Sequence, residues 1–165
     1  MAHYSLPHFD EIDLDDLEEY YDAEIEFEGK TISVDLNLGE SVEVSRLDRV
    51  KEFLGSLAEY DRKNKAYIEE DFNNDEGDTV RTYVTHHLEN IPEDEMADLL
   101  QSDNKMSSPE IQLMKQIRLI RVGFYPDESD QFAVFDYSLG EELTNYLVVI
   151  NINDKGKMDG MTMES

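Results

Sequence analysis

The chain has 165 residues, with 40 Asp and Glu against 14 Lys and Arg for a net charge of −26, 39% hydrophobic and 10% aromatic residues, and no cysteine. That length and apolar content fit a single domain spanning residues 1–165 and exclude wholesale disorder. The missing cysteine excludes disulfides, thiolate zinc sites and cysteine nucleophiles and fits a reducing cytoplasm, while the charge disfavours DNA, RNA and anionic membranes, whose phosphates would be repelled.

The start, Met1-Ala2-His3-Tyr4-Ser5-Leu6-Pro7-His8, has neither a basic n-region nor an apolar h-region, so no signal peptide is expected. No run approaches the roughly 18 apolar residues of a membrane helix. Phe9, Ile12 and Leu14 interleave with acids and predict a short first strand. Tyr21, Ala23, Ile25 and Phe27 then alternate with Asp22, Glu24, Glu26 and Glu28. After Gly29-Lys30, Ile32, Val34, Leu36 and Leu38 alternate with Thr31, Ser33, Asp35 and Asn37. Period two in both arms around a glycine turn predicts a hairpin with one face buried and one wet.

The middle is helical. Leu47, Val50, Phe53, Leu54 and Leu57, extended by Tyr60, Tyr67, Ile68 and Phe72, predict either one helix over 46–73 or two pieces broken near Gly55. Ser45 is the expected N-cap, and Asp48 suits the first turn. Val80, Tyr83, Val84, His87, Leu88 and Ile91 predict a second helix. Pro92 opens a third with the stripe Met96, Leu99 and Leu100, and Ser108-Pro109-Glu110 begins a short fourth. The end returns to strands at 117–125, 131–138 and 144–153. The run Leu147-Val148-Val149-Ile150 predicts a strand covered on both faces. Residues 154–165 are polar apart from Met158, Met161 and Met163; they are expected as a loose tail, or with the methionines tucked against the body. About three strands, a helical block and three more strands give an α+β class: a mostly antiparallel sheet with helices packed on one face.

The charge is unevenly spread. Residues 1–45 hold fourteen acids against one base, Lys30, and so carry −13 of the total. Asp22, Glu24, Glu26 and Asp35 are expected to point away from the core, with Ser, Thr and Asn rather than Lys or Arg across from them. Like charges placed opposite each other cost from tenths of a kcal/mol to about one per pair. Two readings follow: a docking surface for a basic protein or for cations, or a solvated face that resists aggregation and guards a sheet edge.

Other constellations are weaker. Asp71-Phe72-Asn73-Asn74-Asp75-Glu76-Gly77-Asp78 resembles a calcium loop at positions one, three and five. The glycine then falls at position seven rather than six, and position twelve would be Thr82, so a capped helix connection fits better. His86 and His87 project about 100° apart on a helix and cannot easily share a metal; His87 sits on the apolar stripe. His3 and His8 are isolated. G-x-S-x-G and glycine-rich phosphate loops are absent, and no cofactor motif is present. Tyr20, Tyr21, Tyr125, Tyr137 and Tyr146 are expected as core and cross-strand aromatics. Arg118 and Arg121, around an apolar strand, are expected to pair with carboxylates across the sheet.

The segments Leu6-Pro7-His8-Phe9, Ile12-Asp13-Leu14, Leu17-Glu18-Glu19-Tyr20-Tyr21, Val122-Gly123-Phe124-Tyr125-Pro126-Asp127, Phe132 through Gly140, and Met161-Thr162-Met163-Glu164-Ser165 carry a resemblance. Across nearly the whole chain it is similar to a bacterial family of uncharacterised, acidic, single-domain proteins, a domain of unknown function. The resemblance implies a bacterial, non-secreted, stand-alone protein and brings no catalytic residues. In composition the chain is also similar to immunity proteins, which neutralise basic toxin domains by surface complementarity. The leading expectation is thus a non-enzymatic acidic binding protein with a basic protein partner. The alternative is a carboxylate-based, divalent-cation-dependent enzyme or cation-binding domain using the acids near 10–16 and 69–78. The sequence specifies no oligomeric state.

Overall fold

The computed structural model describes residues 3–99, 108–140 and 143–164. Leu100, one of the apolar residues expected in the third helix, lies outside them. The chain opens with a small hairpin of β1 (His3–Leu6) and β2 (Asp10–Asp13), where a single strand was expected. The Pro7-His8-Phe9 segment turns the chain, with His8 and Asp10 at positive φ. Leu6, Phe9 and Ile12 are buried, and the Tyr4 hydroxyl donates to Asp48 at 2.5 Å, fastening this hairpin to the first helix.

The main hairpin is β3 (Tyr20–Phe27) and β4 (Lys30–Asn37). Phe27 faces Lys30, and Glu28 and Gly29 both take positive φ, the two-residue turn that matches strand twist. Among the described residues five helices follow: α1 (Val44–Gly55), α2 (Leu57–Asn73), α3 (Thr79–Asn90), α4 (Glu93–Leu99) and α5 (Pro109–Gln116). Of the two alternatives for 46–73, the chain takes the broken one, and Ser56 separates α1 from α2. The expected cap is displaced, because α1 starts one residue before Ser45, with Glu43 at its N-cap and no side-chain cap bond. At α5 the signal reads directly: Ser108 Oγ accepts from the Ile111 amide at 3.2 Å, and Pro109 sits in the first turn.

The sheet closes with β5 (Arg118–Phe124), β6 (Ala133–Ser138), β7 (Leu147–Ile152) and β8 (Met158–Glu164). Spatial order equals chain order from β3 to β8, and every neighbouring pair is antiparallel except β4 and β5, which run parallel. A parallel pair requires a crossover, and here the crossover carries all five helices. The class is α+β. Residues 158–164, expected either as a loose tail or with the methionines tucked against the body, form the edge strand β8, with Met161 and Met163 packed on the core. Pairing to β7 orders a segment whose polar pattern gave little strand signal.

Two sets of side chains alternate through the sheet. Val34, Val122, Phe135 and Ile150 lie in register and are fully buried on the inner face. There Phe53 of α1 meets Phe124 at 6.0 Å between ring centroids, and Tyr60 of α2 meets Phe135 at 6.2 Å. The opposite, outer face carries the charge. Among the described residues, no helix is long and apolar enough to cross a membrane.

Candidate functional site

Strand register lays the outer face out in rows. One runs Glu24, Ser33, Arg121, Asp136, Val149 and Thr162; the next runs Asp22, Asp35, Gly123, Val134, Asn151 and Gly160. Asp22, Glu24, Glu26 and Asp35 therefore share a face, as expected. Asp22, Glu24 and Glu26 are exposed, and none forms an ion pair with a described residue. Glu24 and Glu26 face Ser33 and Thr31, and the Thr31 hydroxyl donates to Glu26 at 3.2 Å.

Asp35 departs from the expectation of a solvent-facing acid: it is 2% exposed. Arg121 explains this. Its Nε donates to Asp35 Oδ1 at 2.6 Å and its Nη2 to Oδ2 at 2.8 Å; Nη1 donates to Asp136 at 3.0 Å, and Nη2 also to the Tyr125 hydroxyl at 3.1 Å. Asn37 adds a 2.7 Å hydrogen bond to Asp35. The expected pairing of Arg121 across the sheet is thus present. Burial alone would lower the guanidinium pKa, but the bonds to Asp35, Tyr125 and Asp136 outweigh it and raise the pKa. Asp136 shifts upward, because desolvation outweighs the bonds from Arg121.

Gly123 makes the arrangement sterically feasible. A Cβ there would lie 2.5 Å from Arg121 Nη2 and 3.1 Å from Asp35 Oδ2, so the guanidinium occupies the space a side chain would fill. One cation against two buried carboxylates leaves the cluster negative. Beside it a cleft of about 590 Å³ opens, lined by Arg121, Tyr125, Asp136, Val149, Asn151 and Glu164 among others. Tyr20, expected as a core or cross-strand aromatic, is 55% exposed. Its phenol pKa is raised, first by partial desolvation and then by the charges of Asp35 and Asp22. Tyr146, at 36%, is exposed as well. Sequence reasoning missed Asp136 and Tyr125 as parts of this face. Arg121 within an apolar strand, followed two residues later by glycine, was the available signal.

The other candidates resolve locally. Asp71 accepts from the Val80 amide at 2.8 Å and Asn74 from the Glu76 amide at 3.0 Å, so the calcium-like segment spends these side chains on the connection between α2 and α3. His87 is buried and bridges the Tyr83 carbonyl and Thr144. His86 stacks near Tyr146, with ring centroids 4.5 Å apart. Among the described residues no three His, Asp or Glu side chains converge as a metal site. Comparisons with protein-family models, curated proteins and solved structures match nothing to this chain.

Proposed function

We propose that the chain is a non-enzymatic cytoplasmic binding protein whose outer sheet face docks a basic protein partner, in the manner of immunity proteins. The observation that carries this reading is the uncompensated set of exposed acids Asp22, Glu24 and Glu26 on β3, on the same sheet face as an open, negatively charged cleft beyond β4. A purely structural strand face would gain stability by mixing signs. Tyr20 and Tyr125 add aromatic area next to the acids, the combination that receives lysine and arginine side chains. Asp35 belongs to the support of this face, since it is buried and held by Arg121.

Electrostatic docking makes association fast and salt-sensitive. The test uses the immobilised chain to capture a protein from native lysate, followed by measurement with the purified partner. The partner should be basic, its association rate should fall steeply between low and moderate salt, and reversing Asp22, Glu24 and Glu26 to Lys should slow association at least about tenfold. A captured protein that binds the reversed variant at the same rate overturns the reading, as does capture of acidic proteins alone.

A further inference from the structure

Basic residues are few in this chain, and most of its arginines are committed to structure. Arg46 donates to the Pro126 and Glu128 carbonyls and pairs with Asp154 at 2.9 Å. Arg49 donates to the Asp154 carbonyl, Arg81 to the Phe72 carbonyl, and Arg121 holds two carboxylates. Arg118 and Lys30 differ. Neither side chain forms a hydrogen bond or an ion pair with a described residue.

Strand direction brings these two together. Lys30 opens β4 and Arg118 opens β5, and the two strands run parallel, so both residues lie toward the same end of the sheet. Both line a cavity of about 160 Å³, with Lys65 of α2 as a third cation. Lys65 lies 3.3 Å from Asp61 and 3.7 Å from Glu28, the two carboxylates of the lining. Asp61 is buried and fixed by a 2.8 Å hydrogen bond from the Tyr137 hydroxyl. Three cations thus face two carboxylates, giving a cationic lining in a chain of net charge −26. The distant acids act weakly here, because exposed charges are screened beyond about 8 Å at physiological salt. Phe27 and Leu119 complete the wall with apolar surface, which strengthens charge contacts inside it.

We propose that this cavity binds a compact oxyanion of the phosphate or phosphate-monoester class. Arg118 offers a planar fork to two oxygens, and Lys30 and Lys65 supply point charges. The volume is ample for a tetrahedral anion, since a water takes about 30 Å³.

Inorganic phosphate titrated into isotopically labelled protein, at ionic strength held constant with sodium chloride, should give saturable NMR shifts confined to Phe27–Lys30, Asp61–Lys65 and Arg118–Leu119. Arg118→Gln and Lys30→Gln should each weaken binding about fivefold, as expected for removing one partly exposed charge. Asp61→Asn should act in the opposite direction by deleting an opposing carboxylate. Glu28→Gln, at an exposed turn, gives the same sign without touching the core. Phenyl phosphate run in parallel assigns the source: tighter binding marks an ester using the apolar wall, weaker binding a free anion. Linear shifts, an equal response to chloride alone, or undiminished affinity in Arg118→Gln overturn the proposal. The docking reading stands or falls separately, on Asp22, Glu24 and Glu26.

Discussion

Asp35 and Arg121, 86 residues apart in the chain, are joined by two parallel hydrogen bonds of 2.6 and 2.8 Å across the β4–β5 junction. The same guanidinium reaches Asp136 on the next strand. Three strands are therefore tied on the outer face by one side chain, and two buried carboxylates depend on it.

Replacing Arg121 by Met should strand those carboxylates beside each other. A loss of about 3–5 kcal/mol is expected at pH 7, the usual cost of breaking a buried pair. With the cation gone, the folded-state pKa of Asp136, already raised by burial, rises further above its unfolded value. The folded form then takes up protons as pH falls, and part of the stability returns toward pH 5. Urea unfolding at the two pH values checks this; a small, pH-independent loss would contradict the role given to Arg121.

Gly123→Ala should displace the guanidinium, because its Cβ would sit 2.5 Å from Nη2. A cost of about 1–3 kcal/mol is expected for such overpacking. The decisive measurement is a double-mutant cycle. In the Arg121→Met background most of the cost of Gly123→Ala should vanish, since the clashing group is absent.

His87 provides a pH signature. Its Nδ1 lies 2.6 Å from the Tyr83 carbonyl and must carry the proton it donates, so Nε2 accepts from Thr144 at 2.8 Å. Burial, above all, holds its pKa below the ordinary 6.5. The folded state thus binds fewer protons than the unfolded chain. Its stabilising contribution is full above pH 6.5 and declines as pH falls from there toward the folded-state pKa. Melting temperatures from pH 8 to pH 5 should fall more steeply for the native protein than for His87→Asn.

The acidic face should carry a measurable stability cost. Asp22 lies directly opposite Asp35 in the register. Asp22→Asn is expected to raise stability by about 0.2–1 kcal/mol at low salt, with the gain shrinking as salt screens the pair. The same variant should associate more slowly with a basic partner. A variant both less stable and unaltered in binding would leave the exposed acids without a role.

Strong periodicity made the β3–β4 hairpin legible in the sequence, and Ser108-Pro109-Glu110 marked the start of α5, while the break between α1 and α2 was one of two open alternatives. Residues 158–164 were not legible, because Met, Asp, Gly and Thr form a strand there only by pairing with β7. The shared face of Asp22, Glu24, Glu26 and Asp35 followed from alternation. The burial of Asp35 did not, since it depends on an arginine 86 positions away and on the absent side chain of Gly123. Period two tells which face a residue takes, but not what waits there. Tyr20 shows the same limit: its type favours burial, yet it lies at the start of the outermost strand on the wet face.

The parallel β4–β5 junction also sets a timetable. Val34 and Val122 are sheet neighbours although they stand 88 positions apart in the chain. At ribosomal speeds of about 5–20 residues per second, the β3–β4 hairpin waits on the order of ten seconds for its third strand. During that interval the β4 edge is bare, and two nascent hairpins could zip together along it. The acids of β3 charge each such hairpin negatively, so newly made chains repel one another until β5 arrives and closes the gap.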